Sequence, residues 1–225
     1  MNWWAQPLLY PKNSGASSVR ENVAVGDVLA DVYLPAATPA PIVFLIHGGP
    51  IPAGAQMKNI ALFRDYGQLL AGEGFMAVTF NHRYHAPNDF AQSEADVSAV
   101  IDHFRGDSND VVLWAFSGGG PLLALGFDKP YVRALVDFYA VLEGEPIARV
   151  SEVRVPMLIA RAGRDMPEVN EPLSRFLDAA LAHGVELDLL NHAEGEHAFD
   201  IVTDDARTRQ IIGRTLAFLR ELRGR

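Results

Sequence analysis

Three stretches of this chain, "PIVFLIH" (41–47), "FMAVTF" (75–80) and "DVVLWAF" (110–116), are apolar almost without interruption. A strand with one wet face alternates apolar and polar residues. A strand apolar on both faces must be covered on both, which is the condition inside a parallel sheet flanked by helices. Three further apolar runs follow at 132–142, 155–160 and 185–190. Segments of helical period lie between them. In "SEADVSAVIDHF", Val97, Val100, Ile101 and Phe104 fall at i, i+3, i+4 and i+7, and Ser93 with Asp96 has the spacing of a capping box. "TDDARTRQIIGRTLAFLREL" (203–222) opens on a Thr203 cap and two acids, then keeps Ile212, Leu216 and Leu219 on one side.

Ahead of the first buried run, "ENVAVGDVLADVYLP" (21–35) alternates around Gly26-Asp27, the pattern of an antiparallel hairpin at the sheet edge. A hairpin followed by alternating strands and helices predicts an α/β domain with a mostly parallel sheet. We expect one domain over residues 1–225, with 1–20 as an N-terminal arm in which Trp3 and Trp4 act as anchors, and with no lid domain.

Charge and composition narrow the partners. The 28 acidic against 19 basic residues give a formal net charge of −9, so no basic face is expected for nucleic acid or an anionic membrane surface. The chain has no cysteine, which removes disulfides and thiolate chemistry. Neither a basic-then-apolar leader nor an apolar run near the ~20 residues of a membrane span is present, so the expectation is a cytoplasmic protein. Arg220, Arg223 and Arg225 read as helix-end charges that complement the macrodipole.

The third buried run ends in "AFSGGGPLLAL" (115–125). Ligand sites in open parallel sheets form at the carboxyl ends of strands, and Ser117 stands at such an end. A serine held clear on a tight strand-to-helix turn needs small residues two before and two after, here Ala115 and Gly119. The competing reading is a close-packed glycine turn with an incidental serine. A nucleophile needs a base. His197 in "GEHAFD" follows the last strand and precedes the last helix, with His192 as its rival; His103 and His183 read as helix-surface residues. The base in turn needs an acid that fixes its tautomer. Asp165 in "AGRDMP" follows the strand over 155–160, and Asp137 is the weaker alternative. For the oxyanion, the Gly118 N–H is one candidate donor. In "FLIHGGP" Pro50 cannot donate, so Gly49 is the second, with Ile51 in reserve and His47 as a structural residue. His82 and His85 would make a metal pair only with a third ligand, which the spacing does not supply, and no cofactor is expected.

Taken together, "HGG" (47–49), "AFSGG" (115–119), "GRD" (163–165) and "EHAF" (196–199) resemble the stations of an α/β-hydrolase over about residues 20–222. Within that superfamily the chain resembles the small esterases related to dienelactone hydrolases and to hormone-sensitive-lipase-like carboxylesterases. The resemblance implies an eight-stranded, mostly parallel sheet with helices on both faces. It also implies a triad of Ser117, Asp165 and His197, and structural roles for Arg83 and Asp96 in "NHRYHAPNDFAQSEAD" (81–96). Ala115 stands where the family has glycine, Pro50 where it has a third loop glycine, and Ser117 where dienelactone hydrolases proper have cysteine. The expected activity is hydrolysis of small carboxylic esters, the substrate being the expected partner; the sequence is also compatible with a homodimer. A prolyl-oligopeptidase-like peptidase or an acyltransferase would use the same triad, and a non-catalytic binding module is the remote alternative. Loops near 50–58, 83–92 and 142–154 are expected to shape the pocket.

Overall fold

The computed structural model describes residues 5–11, 15–52, 54–86 and 90–222; Trp3, Trp4, Arg223 and Arg225 lie outside them. The strands are β1 (Ser18–Val25), β2 (Val28–Leu34), β3 (Ile42–Ile46), β4 (Met76–Phe80), β5 (Val111–Phe116), β6 (Val132–Phe138), β7 (Met157–Ala162) and β8 (Leu187–His192). They form one sheet in the order β1-β2-β4-β3-β5-β6-β7-β8. The hairpin turns at Gly26-Asp27, with Val25 opposite Val28; β2 runs antiparallel to β4, and every pairing from β4 to β8 is parallel. The helices are α1 (Ala61–Gly72), α2 (Phe90–Arg105), α3 (Glu145–Ala148), α4 (Pro167–Ala182), α5 (Phe199–Val202) and α6 (Ala206–Leu222).

The unbroken apolar character of β3 has a direct cause. Val43 and Leu45 face a core shared with Tyr66 and Leu69 of α1 and Ile212, Leu216 and Leu219 of α6. Phe44 and Ile46 face the opposite core, closed by Val97, Val100 and Ile101 of α2 and by Leu173 and Phe176 of α4. Successive residues of a strand point to opposite faces, so two covered faces demand two apolar sets.

Four expectations need correction. The arm is shorter than 1–20: β1 begins at Ser18, and Leu8 is buried, its N–H donating to Asp65 Oδ2 at 3.0 Å. α2 begins at Phe90, so Ser93 is not its cap; the Ser93 hydroxyl donates to Arg83 O at 3.0 Å. α6 is capped by Asp205, whose Oδ1 accepts the Thr208 N–H at 2.7 Å, while the Thr203 carbonyl accepts the Thr208 hydroxyl. After β5 the chain runs as a 3-10 helix over Ser117–Gly126, because three glycines and Pro121 disfavour an α-helix there. No helix among the described residues is long and apolar enough to cross a membrane.

Candidate active site

The turn after β5 explains its own composition. Ser117 sits at φ +53°, a left-handed conformation costing a non-glycine residue roughly 1–2 kcal/mol. It is held there because the Val141 N–H donates to Ser117 O at 2.9 Å and because the next residues press onto backbone. A Cβ on Gly118 would lie 2.3 Å from Gly49 O, one on Gly119 2.6 Å from His47 O, and one on Gly120 2.3 Å from Val141 O. None of these oxygens can swing aside, so all three glycines are close-approach residues, which is more than the sequence pattern asked of them. Gly118→Ala should therefore push the 48–50 loop outward. We expect an overpacking cost of about 1–3 kcal/mol and lost turnover, read by thermal melting and ester assay.

The loops after β7 and β8 are laced together, and this places the acid beside the base. The Gly163 N–H donates to His192 O at 2.8 Å and the Arg164 N–H to Gly195 O at 2.9 Å. Gly163 is needed for this, since its Cβ would stand 2.3 Å from Ala193 O. The result joins three residues distant in sequence. His197 Nδ1–H donates to Asp165 Oδ2 at 2.7 Å, and the Ser117 hydroxyl donates to His197 Nε2 at 2.8 Å. A carboxylate oxygen only accepts, so the proton sits on Nδ1 and Nε2 is free to accept. The Asp165 side chain is fully buried, whereas that of His197 is 32% exposed.

The rival residues are placed elsewhere. His192 is the buried last residue of β8, and its Nε2–H donates to Thr208 Oγ1 at 3.1 Å, stapling the strand to α6. Asp137 is fully buried, its Oδ1 accepts the Ala140 N–H at 3.1 Å, and burial pushes its carboxyl well above the usual range. His103 is exposed on α2, and His183 is exposed at the end of α4. His47 donates from Nδ1 to Gly48 O at 2.7 Å and stacks on His82 at 3.7 Å between ring centroids. His82 donates from Nε2 to His47 O at 3.0 Å. Burial pushes His82 down to about 4 and His47 well below its ordinary value, so both rings are neutral near pH 7. His85 donates to Ile51 O at 3.2 Å, a different carbonyl from the one His82 meets.

Beneath this loop, Arg83 donates to Asp96 from its backbone N–H, Nε and Nη2 at 2.9, 2.9 and 2.6 Å. That brace fixes Tyr84, whose carbonyl accepts the Ile51 N–H at 2.8 Å. The reserve donor is thus committed. Among the described residues, the N–H groups of Gly49 and Gly118 make no backbone hydrogen bond.

Ser117 and His197 open onto a cavity of about 400 Å³. Its other walls are almost wholly apolar: Pro50, Ile51 and Pro52 from the loop, Met57, Ile60 and Phe63 around the start of α1, and Ile201 and Val202 from α5. Of the loops expected to shape it, the first does so. Segments 83–92 and 142–154 contribute no lining residue among those described. The α5 wall was missed because "AFDIV" (198–202) is too short to show a helical period, and Tyr139 because it reads as a continuation of β6.

The sequence pattern of the dienelactone hydrolase family matches residues 82–221, and that of the BD-FAE family residues 30–129. No curated protein matches. Among solved structures, a candidate dienelactone hydrolase of Klebsiella pneumoniae superposes with a TM-score of 0.69 at 20% identity, over 90% of this chain and 98% of that one. Esterase 2 of Thermogutta terrifontis, solved with butyrate bound, gives 0.70 at 20% identity, over 92% and 94%. An acylaminoacyl peptidase of Pyrococcus horikoshii gives 0.71 at 17% identity, over 94% of this chain but 42% of its own. The protein has the α/β-hydrolase fold, and, with its family pattern spanning well over half the sequence, this chain belongs to the dienelactone hydrolase family.

Proposed function

We propose that the protein is a serine hydrolase that cleaves small uncharged carboxylic esters through an acyl-enzyme on Ser117. The observation that carries this reading is the unbroken chain Asp165–His197–Ser117, with contacts of 2.7 and 2.8 Å, at the mouth of an apolar cavity. The esterase name of the Thermogutta neighbour and its bound butyrate point the same way.

Each step follows from an atom already placed. Ser117 Oγ attacks the ester carbonyl carbon while its proton passes to His197 Nε2, and Asp165 supports the imidazolium from Nδ1. The carbonyl oxygen becomes an oxyanion, received by the N–H groups of Gly118 and Gly49. Collapse breaks the C–O bond to the alcohol, which leaves with the proton from Nε2. A water then gives one proton to Nε2 while its oxygen bonds the acyl carbon, and collapse breaks the acyl–Oγ bond as the Nε2 proton passes to Oγ, releasing the acid and restoring Ser117.

The lining sets the substrate class. Among the described residues, no charged or ionisable side chain faces the cavity apart from His197 and the Tyr139 phenol, and the Tyr139 hydroxyl is committed to Asp200 at 2.8 Å. Each methylene added to the acyl group inside should gain about 0.8 kcal/mol, or roughly fourfold in kcat/KM until the space fills. A carboxylate there has no partner, and burying one unpaired costs several kcal/mol. We therefore expect p-nitrophenyl hemisuccinate to be cleaved at least about 100-fold less efficiently than p-nitrophenyl butyrate or pentanoate. Steady-state assay of the acetate-to-octanoate series, the hemisuccinate and aminoacyl nitroanilides tests the proposal. Turnover confined to nitroanilides would point to a peptidase, and no turnover of any ester to a non-catalytic module. Efficient hemisuccinate cleavage would overturn the assignment to uncharged substrates.

A further inference from the structure

His197 is held in its plane by Asp165 and Ser117, and it also meets the edge of Tyr139, whose ring centroid lies 5.0 Å away at 62°. Tyr139 is itself unusual. It follows β6 at φ +43°, a conformation a bulky residue adopts at a cost of about 1–3 kcal/mol, and such strain persists only where the surroundings enforce it. Two bonds enforce it: its N–H donates to Ala160 O at 2.9 Å, and its hydroxyl donates to Asp200 Oδ1 at 2.8 Å.

Asp200 belongs to the same short segment as His197, three residues on, and is completely buried. Its Oδ2 accepts the Tyr66 hydroxyl from α1 at 2.8 Å, and its backbone carbonyl accepts the Leu9 N–H at 2.8 Å. No cation pairs with it among the described residues. A completely buried carboxyl met by two neutral tyrosine hydroxyls rather than by a cation is expensive, and packing alone would be served better by an apolar residue.

On the reading of His197 as the base, we propose that Asp200 is a positioning residue for His197: through Tyr139 it fixes the face of the imidazole, and its negative charge favours the imidazolium formed in the reaction. Among the described residues the titratable groups that act on it are Tyr66 from α1, Tyr139 after β6 and His197; Asp137 at the end of β6 and Asp165 after β7 act on Tyr139, and His192 at the end of β8 packs on the Phe199 ring. Burial pushes the Asp200 carboxyl up to about 6, opposed by the two tyrosine hydroxyls, so above that pH it carries its charge. Tyr66 and Tyr139 are pushed well above their ordinary value by burial and by Asp200, so they remain neutral donors.

The test is the pH profile of kcat and kcat/KM for p-nitrophenyl butyrate in the wild type and in Asp200→Asn, which keeps the shape and can bond both hydroxyls but removes the charge. We expect kcat to fall about tenfold, KM to stay within about twofold, and the acid limb of kcat/KM to move to lower pH, because the imidazolium loses a nearby negative charge. Tyr139→Phe keeps the ring and cuts its tie to Asp200. It should lower kcat severalfold without moving the acid limb downward, and it decides the matter if Asp200→Asn fails to fold. Variants that fold and superimpose on the wild-type profile would overturn this inference while leaving the ester hydrolase reading intact. Wild-type protein inactive on every ester would instead remove the reading on which it rests.

Discussion

Ser117→Ala is expected to abolish ester turnover while the fold persists. We expect kcat to fall by about 10⁴–10⁶-fold, because base and acid are useless without the oxygen they activate, and what remains comes from the oxyanion donors and binding alone. The fold should be unaffected, with Tm within a few degrees of wild type. Alanine is as strained as serine at φ +53°, and the turn is fixed by Ser117 O, Gly118 and Gly119 rather than by the hydroxyl. His197 Nε2 loses its partner but stands at the cavity mouth, where water can replace it. A melting curve beside a p-nitrophenyl butyrate assay checks both halves. Loss of activity together with loss of fold would mean that the hydroxyl is structural.

The second large effect concerns stability at the pocket wall. Lys58 is almost completely buried, and its ammonium donates to Asp31 Oδ1 and Oδ2 at 2.9 and 3.0 Å and to Asn59 Oδ1 at 2.9 Å. Three donors thus meet three acceptors. Asp31 is satisfied further by the Asn22 N–H at 2.8 Å, delivered by an irregularity in β1 where Asn22 takes φ +56°. The Lys58 N–H donates to Asn81 Oδ1 at 3.0 Å, tying the turn to the end of β4. This ion pair pins the segment carrying Met57 and Ile60, which line the cavity. Lys58→Ala strands a buried carboxylate and should cost about 3–5 kcal/mol, lowering Tm by roughly 6–20 °C. The double variant Asp31→Leu/Lys58→Met leaves no stranded charge and should recover most of that loss. A single variant melting within about 2 °C of wild type would show that the pair does not pin the wall.

What the sequence disclosed and what it hid follow from the range of the signals. β3, β4 and β5 were legible because both faces are covered, which leaves an unbroken apolar run. Ser117, Asp165 and His197 were legible because each follows the carboxyl end of a strand the pattern had already placed. Helix starts were less legible. Ser93 and Thr203 have the chemistry of caps, but Ser93 is used inside α2 and the cap of α6 fell to Asp205 two residues on, choices made by tertiary contacts. Tyr139 and Asp200 were invisible for a related reason. Nothing in "DFYA" or "HAFD" signals that two residues 61 apart will share a buried hydrogen bond. Likewise the three glycines after Ser117 spoke of a tight turn, but not of which carbonyls crowd each one.

The central claim, that Ser117 is the covalent nucleophile, is tested most directly by trapping it. After treatment with a p-nitrophenyl alkylphosphonate, intact-mass and peptide analysis should show one phosphonyl adduct, on Ser117, formed in step with loss of activity and absent from Ser117→Ala and strongly slowed in His197→Ala. An adduct on another residue, or full inhibition with Ser117 unmodified, would contradict the account.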